Sequence, residues 1–340
     1  MDNQIVDNFI KLNKLSLDVN EITNDPHLPE IANIFSGGVK SEYNDNKLLL
    51  RYMGIYNEVL YNFDKAEKNY FRAIFLGDKE SIYRLGYLYH SNDMLDKAKE
   101  YYGKVKQYYP EYADTLYNLA LIYEKEGNLD EAINKHTIII KMRYNKINDS
   151  RNNLGLIYQK KSKPQLAIKY FNDAIQNNHL EAMENLALFY DSTNKDDLAI
   201  KAYLKAIDNG SVKSLYNLAQ LYFDQGQWDL SEKYFKLSIE KGDTSSYNNL
   251  GLLYEEQEKI SLAKENYTKG AENGDVNSMY NIALIFDRED NFKQAEKYYK
   301  MAVMKKYADA AYNLAAMYQK YKLDQLSTHY LSVYATLNKD

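Results

Sequence analysis

Tyr216-Asn217-Leu218-Ala219-Gln220-Leu221-Tyr222 is followed, thirty-two residues on, by Asn248-Asn249-Leu250-Gly251-Leu252-Leu253-Tyr254. The same string, with small changes, begins at Tyr83, Tyr117, Asn152, Glu184, Tyr280 and Tyr312, and a reduced copy, Tyr52-Met53-Gly54-Ile55-Tyr56, precedes them. The apolar anchors are Met53, Leu85, Leu119, Leu154, Leu186, Leu218, Leu250, Ile282 and Leu314, with gaps of 32, 34, 35 and then 32 five times. A period this regular is the mark of a repeat architecture, in which each unit buries its apolar face only against its neighbours.

The spacing inside a unit is helical. The anchor, the Gly or Ala after it and the aromatic four residues beyond the anchor fall on one helix face. Thirteen residues after every anchor stands Ala or Ser: Ala66, Ala98, Ala132, Ala167, Ala199, Ser231, Ala263, Ala295 and Ser327. One turn further comes a ring in eight units, Tyr70, Tyr102, His136, Phe171, Tyr203, Phe235, Tyr267 and Tyr299, with Leu331 the exception. Each unit therefore reads as two helices joined by a short turn such as Glu126-Gly127-Asn128, and the fold class is an all-α solenoid. Large rings are expected to fill the space left by Gly54, Gly86, Ala120, Gly155, Ala187, Ala219, Gly251, Ala283 and Ala315, since interiors are close-packed. Gly77, Gly210, Gly242 and Gly274 fall where a second helix needs a left-handed cap, and Pro110 ends a helix by forbidding continuation.

Composition bounds the function. The 340 residues carry 43 basic and 48 acidic side chains, a formal net charge of −5, with no polybasic arm to bind nucleic acid or anionic lipid. The absence of cysteine removes disulfides, thiolate zinc sites and thiol nucleophiles. Only 4 prolines stand against 35 tyrosines, which permits many uninterrupted helices and implies one structural place used repeatedly by Tyr. The start, M-D-N-Q-I-V-D-N-F, lacks the positive region of a secretory signal, and no apolar stretch reaches 18 residues, so a cytoplasmic protein without membrane insertion is expected. The five histidines are scattered, and no H-E-x-x-H, phosphate-loop or dinucleotide fingerprint occurs. The reading is a non-enzyme with no catalytic residue, no cofactor and no metal site.

The Leu-Gly/Ala, Tyr, Ala and aromatic positions resemble the tetratricopeptide repeat. The shorter unit, with a small residue four before the anchor (Ala182, Ser214, Ser246, Ser278, Ala310), is similar to the related Sel-one-like repeat. The resemblance covers residues 47–340 and implies a right-handed superhelix of about nine antiparallel helix pairs. It further implies an interaction scaffold or adaptor that binds a protein or an extended peptide along a groove lined by the first helices. An Asn stands just before seven consecutive anchors, at Asn118, Asn153, Asn185, Asn217, Asn249, Asn281 and Asn313, a position that faces the groove in that family. An amide both donates and accepts, so the column suits an extended backbone. Two readings stay open: a grip on a ligand, or hydrogen bonds across to the neighbouring unit. The same pair of readings, groove or seam, applies to Tyr83, Tyr117, Tyr216, Tyr280 and Tyr312. Acids at Glu58, Glu124, Asp191, Glu255 and Asp287 give a neutral to acidic groove, which argues against a clamp for acidic tails. Those at Glu80, Asp114, Asp149 and Glu181 are expected to cap the first helices and answer their dipoles.

The ends read differently. Residues 1–46 lie outside the repeats. There Ile5, Val6, Phe9, Ile10 and Leu12 form an amphipathic helix, with breaks at Asn24-Asp25-Pro26 and Gly37-Gly38, and the segment is expected to cap the array of residues 47–322, the alternative being an autoinhibitory segment lying in the groove. Residues 323–340 form a closing helix whose Leu326, Tyr330, Leu331, Val333, Tyr334 and Leu337 offer an edge for a homodimer. Alternatives to a scaffold are a peptide-sensing regulator and a subunit whose array only builds an oligomer.

Overall fold

A computed structural model describes residues 2–12, 27–38, 45–105, 112–143 and 146–338. Pro110 and the Asn24-Asp25-Pro26 break lie outside the described residues. Among those described the regular structure is α-helical, and contacts divide the chain into two compact units, residues 1–174 and 175–340.

In the first unit α1 (Asp2–Leu12) and α2 (Leu28–Phe35) precede four pairs. These are α3 (Lys47–Val59) with α4 (Phe63–Phe75), α5 (Glu80–Ser91) with α6 (Leu95–Lys104), α7 (Tyr112–Lys125) with α8 (Leu129–Met142), and α9 (Ile147–Lys160) with α10 (Pro164–Ile175). The second unit continues with α11 (Leu180–Ser192) and α12 (Asp196–Asp208), α13 (Val212–Asp224) and α14 (Trp228–Glu240), and α15 (Ser246–Glu256) and α16 (Ile260–Glu272). It closes with α17 (Val276–Arg288) and α18 (Phe292–Met304), then α19 (Ala308–Lys320) and α20 (Asp324–Leu337).

The anchors are buried in every pair, and the eight rings four residues after the Ala or Ser are buried with them. The expected fit of ring against glycine is literal. A Cβ built on Gly86 would lie 2.7 Å from Tyr102 Cδ1, and one on Gly251 would lie 2.5 Å from Tyr267 Cε1. Gly54 faces Tyr70 and Gly155 faces Phe171 in the same way. In the last pair Leu331 leaves this place and is 43 % exposed.

The turn from first to second helix carries one left-handed residue in each pair: Tyr61, Asp93, Gly127, Ser162, Asn194, Gly226, Glu258, Asp290 and Lys322. After the second helices the expected glycine caps take the same conformation, with φ of 85°, 93°, 95° and 88° at Gly77, Gly210, Gly242 and Gly274. Asn46, Asn128, Ser211, Asp275 and Asn291 cap their helices by side chain, whereas Asn62 and Ser245 stand at N-caps without doing so. Ser211 and Asp275, for example, accept from the backbone N–H of Ser214 and Ser278.

Helices α1 and α2 pack on the first pair. Val6, Ile10, Ile31, Ile34 and Phe35 join one apolar cluster with Leu49, Tyr52 and Met53. The Phe9 and Phe35 rings stack at 4.2 Å, and Phe35 meets Tyr52 edge-on at 5.8 Å.

Candidate functional site

The face of interest is built on the first helix of each pair. There the rows before and after the anchor stand beside the tips of the core rings. The acids of those helices have a structural task. Tyr70 Oη donates to Glu58 at 2.6 Å, Tyr203 to Asp191 at 2.8 Å, Tyr267 to Glu255 at 2.7 Å and Tyr299 to Asp287 at 3.5 Å. His136, fully buried, sits 2.9 Å from Glu124 through Nε2, so the carboxylate fixes the proton on that nitrogen. In every case the acid lies twelve residues before the ring. Where the ring is Phe171 or Phe235 the same place holds Gln159 or Phe223. A buried hydroxyl or imidazole N–H needs an acceptor, and a phenyl ring does not. Sequence reasoning placed these acids on the groove without seeing their partners, although the spacing of twelve in five of the repeats was the signal; twelve before Tyr102 stands His90, and the Tyr102 hydroxyl accepts from Asn118. Burial, followed by the bond to Glu255, pushes the Tyr267 hydroxyl well above its usual range. Burial also raises the Glu58 carboxyl, while the Tyr70 hydroxyl and Arg84 pull it down.

The Asn column is half-buried, and its amide nitrogens reach back to the preceding pair. Asn118 donates to Tyr83 Oη at 3.4 Å and to Tyr102 Oη at 3.2 Å, and Asn153 donates to Tyr117 Oη at 3.4 Å. In the second unit Asn249 donates to Tyr216 Oη at 2.7 Å and Asn313 to Tyr280 Oη at 2.8 Å. Asn281 donates to Asn248 Oδ1 at 2.9 Å, because its preceding pair carries Asn where others carry Tyr. Asn217 differs. Its preceding pair has Glu184, which accepts from Ser211 instead, and the Asn217 side chain makes no hydrogen bond among the described residues.

The tyrosines two before the anchors lean on the core rings of their own pairs. Tyr117 meets His136 at 5.8 Å, Tyr216 meets Phe235 at 6.0 Å, and Tyr83 and Tyr280 lie 6.0 and 6.3 Å from Tyr102 and Tyr299. Tyr312 faces Tyr334 at 5.3 Å and is 51 % exposed. The structure thus brings Asn and Tyr together across each of these seams, with the hydroxyl as acceptor and an edge of each group left to solvent.

Glu80, Asp149 and Glu181 stand inside their helices, one to three residues past the N-caps Lys79, Lys146 and His179. Glu80 pairs with Arg51, and Asp149 lies 3.7 Å from Lys146. Capping comes from residues just upstream: Asp78 accepts from Ser81 N at 3.0 Å, and His179 accepts from Ala182 N at 3.2 Å. Glu80, Asp114, Asp149 and Glu181 do stand in first turns, where the helix dipole favours an anion. Among the described residues no helix is long and apolar enough to cross a membrane, and no three His, Asp or Glu converge as metal ligands.

Five models, each described as a tetratricopeptide repeat, match the sequence at residues 80–112, 115–146, 152–214, 212–241, and 244–272 with 276–304. Among solved structures, c5321, a protective antigen of uropathogenic Escherichia coli strains displaying an SLR fold, is 18 % identical with a TM-score of 0.51. The match covers 90 % of this chain and 71 % of that one. The C-terminal part of a TPR repeat-containing protein from Cytophaga hutchinsonii is 18 % identical at a TM-score of 0.49, covering 65 % of this chain and 94 % of its own. A tetratricopeptide repeat protein from Parabacteroides merdae is 21 % identical at 0.46, covering 74 % and 98 %. No curated protein matches the sequence.

Proposed function

The chain belongs to the tetratricopeptide-repeat family, and from that premise we propose that it holds an extended peptide or protein segment along the first-helix face. The family indicates a protein–protein interaction scaffold, of a fold typical of non-catalytic proteins. The finer reading rests on the half-exposed Asn column, above all on Asn217, whose amide has no partner among the described residues. A free amide offers N–H donors on one side and a carbonyl acceptor on the other, which is what a backbone in extended conformation demands. Asn118, Asn153, Asn281 and Asn313 spend donors on Tyr or Asn of the preceding pair, and Asn249 donates to Tyr216 and Gln220, so the carbonyl lone pairs are what these members offer a ligand. Each such bond adds about 0.5–1.5 kcal/mol, so affinity accumulates over several repeats. Helices α1 and α2 serve as the cap of the array, consistent with their apolar cluster on the first pair.

The test passes a random nonapeptide pool over the immobilised chain and over the Asn185→Ala, Asn217→Ala, Asn249→Ala triple variant. Retention by the parent and its loss in the variant, at unchanged circular dichroism, supports the ladder. Equal retention by both chains sinks it.

One observation favours a second reading, self-association through α20. Leu326 and Leu331 are 41 % and 43 % exposed on a helix whose only Asp, Glu, Lys or Arg is Asp324. Light scattering should then give a dimer that Leu326→Glu with Leu331→Glu turns into a monomer. A monomeric parent chain rules this reading out.

A further inference from the structure

Two exposed apolar faces lie on second helices, one in each unit. On α4, Phe71 and Phe75 stand one turn apart, and Phe75 is 87 % exposed. Its equivalents in α8, α12, α14 and α16 are Lys141, Asp208, Glu240 and Glu272, the charged residues that an outer helix face ordinarily carries. Phe71 meets the Tyr101 ring edge-on at 5.9 Å and remains exposed. Lys65 and Lys68 flank the pair, exposed and without an ion pair among the described residues, and Arg72 beside them is bridged to Asp45.

In the second unit the residue before the buried Ala or Ser is Leu198, Leu230 and Leu262 in three consecutive pairs. The first three pairs of the chain carry Lys65, Lys97 and Glu131 there. All three leucines are exposed, as is Trp228 two residues before Leu230. Trp228 and Leu230 line, with Gly226, Gln227 and Asp229, an open cavity of about 350 Å³ at the corner of α13 and α14. The first turns that hold the leucines carry Asp196, Asp197 and Asp229 and no base. Asp197 and Asp229 are exposed and make no ion pair among the described residues.

An apolar pair flanked by bases and an apolar row edged by acids match each other in both respects. We propose that they are the two halves of one contact between copies of this chain. The α4 face of one copy seats on the first turns of α12, α14 and α16 of the next, with Phe75 in the cavity beside Trp228. Apolar burial supplies the affinity, and attraction of Lys65 and Lys68 to Asp197 and Asp229 sets the orientation. Because the two faces differ, the contact is heterologous. It closes as a reciprocal pair where both faces of each copy meet at once, and otherwise runs on from copy to copy. The contact stands apart from the first-helix groove and uses no residue of α20.

Light scattering and sedimentation of the full-length chain, over a wide range of concentration, test this contact. Every chain is also run with Leu326→Glu and Leu331→Glu, which removes any α20 dimer. In that setting the parent should still associate. Phe71→Gln with Phe75→Gln should be monomeric, and so should Trp228→Gln with Leu230→Gln and Leu262→Gln. An equimolar mixture of these two monomers restores one intact pair of faces, and should give twice the chain mass and nothing larger. Lys65→Glu with Lys68→Glu changes exposed charges alone, which gives a reading even if the apolar variants fold poorly. It should weaken association about tenfold, and added salt should weaken the parent in the same direction. A monomeric parent, association that survives in either apolar variant, a mixture that stays monomeric, or unchanged association in the lysine variant overturns the proposal. Association abolished by the α20 substitutions alone also overturns it, and leaves the α20 reading standing.

Discussion

A methyl group added at Gly155 would lie 2.5 Å from Phe171 Cδ1. Gly155→Ala is therefore expected to cost about 1–3 kcal/mol through overpacking, visible as a lower urea midpoint at unchanged slope. Phe171→Leu should recover part of that loss in the double variant, because the two side chains share one space. The tyrosines set a pH limit of their own. Burial, reinforced by Asp114, pushes Tyr83 from its ordinary value near 10 up to about 12. Folded Tyr83 thus keeps its proton where the unfolded chain has lost it. The stability it supports is complete below pH 10 and is lost as pH rises from 10 to 12. Tyr102, Tyr203 and Tyr267 shift in the same direction. Urea midpoints taken at pH 9, 10 and 11 should fall steeply over the last step, and a flat profile would contradict the buried hydroxyls. At this scale the sequence was legible wherever small and large alternate by fixed spacing. The acceptors of the ring tips were legible too, for a reader comparing Glu58, Glu124, Asp191 and Glu255 with Gln159 and Phe223.

At the scale of the element, the two helices of a repeat are specified locally, whereas the bonds between repeats are not. Anchor, Ala and glycine cap lie within one turn of the residues they serve, and a period of 3.6 exposes them. The partner of Asn249 is Tyr216, thirty-three residues back, and no local pattern announces a donor at that distance. Asn217 and Asn249 look alike in sequence and differ only in what the preceding helix presents, Glu184 in one case and Tyr216 in the other. Asn249→Ala should cost about 0.5–1.5 kcal/mol, leaving the Tyr216 hydroxyl without its donor. Asn217→Ala should be neutral within about 0.5 kcal/mol while weakening peptide retention. Thermal melts of the two single variants separate the cases, and equal losses would mean that Asn217 has a structural task. Ser211, which caps α13 through Ser214 N at 3.0 Å and also donates to Glu184, is expected to cost about 1 kcal/mol as Ser211→Ala.

Across the whole molecule, each repeat is held chiefly by its neighbours, so stability spreads along the array instead of gathering in one core. Leu85→Ala and Leu314→Ala, each removing a fully buried anchor, should cost about 2–5 kcal/mol. Hydrogen exchange should place the first loss of protection around α5 and α6 and the second around α19 and α20, each damage staying within its own unit. A uniform loss over both units would show instead that the chain unfolds as one block. Outside the glycines, ten of the described residues occupy left-handed backbone at helix ends, among them Tyr61, Glu258, Lys306 and Lys322. A side chain with a Cβ tolerates that geometry at a penalty of roughly 1 kcal/mol, and glycine does not pay it. The chain therefore carries a built-in allowance for heat tolerance at corners that none of the column asparagines occupies. Swapping such corner residues for glycine one at a time offers a graded route to a hardier protein with its recognition chemistry left alone.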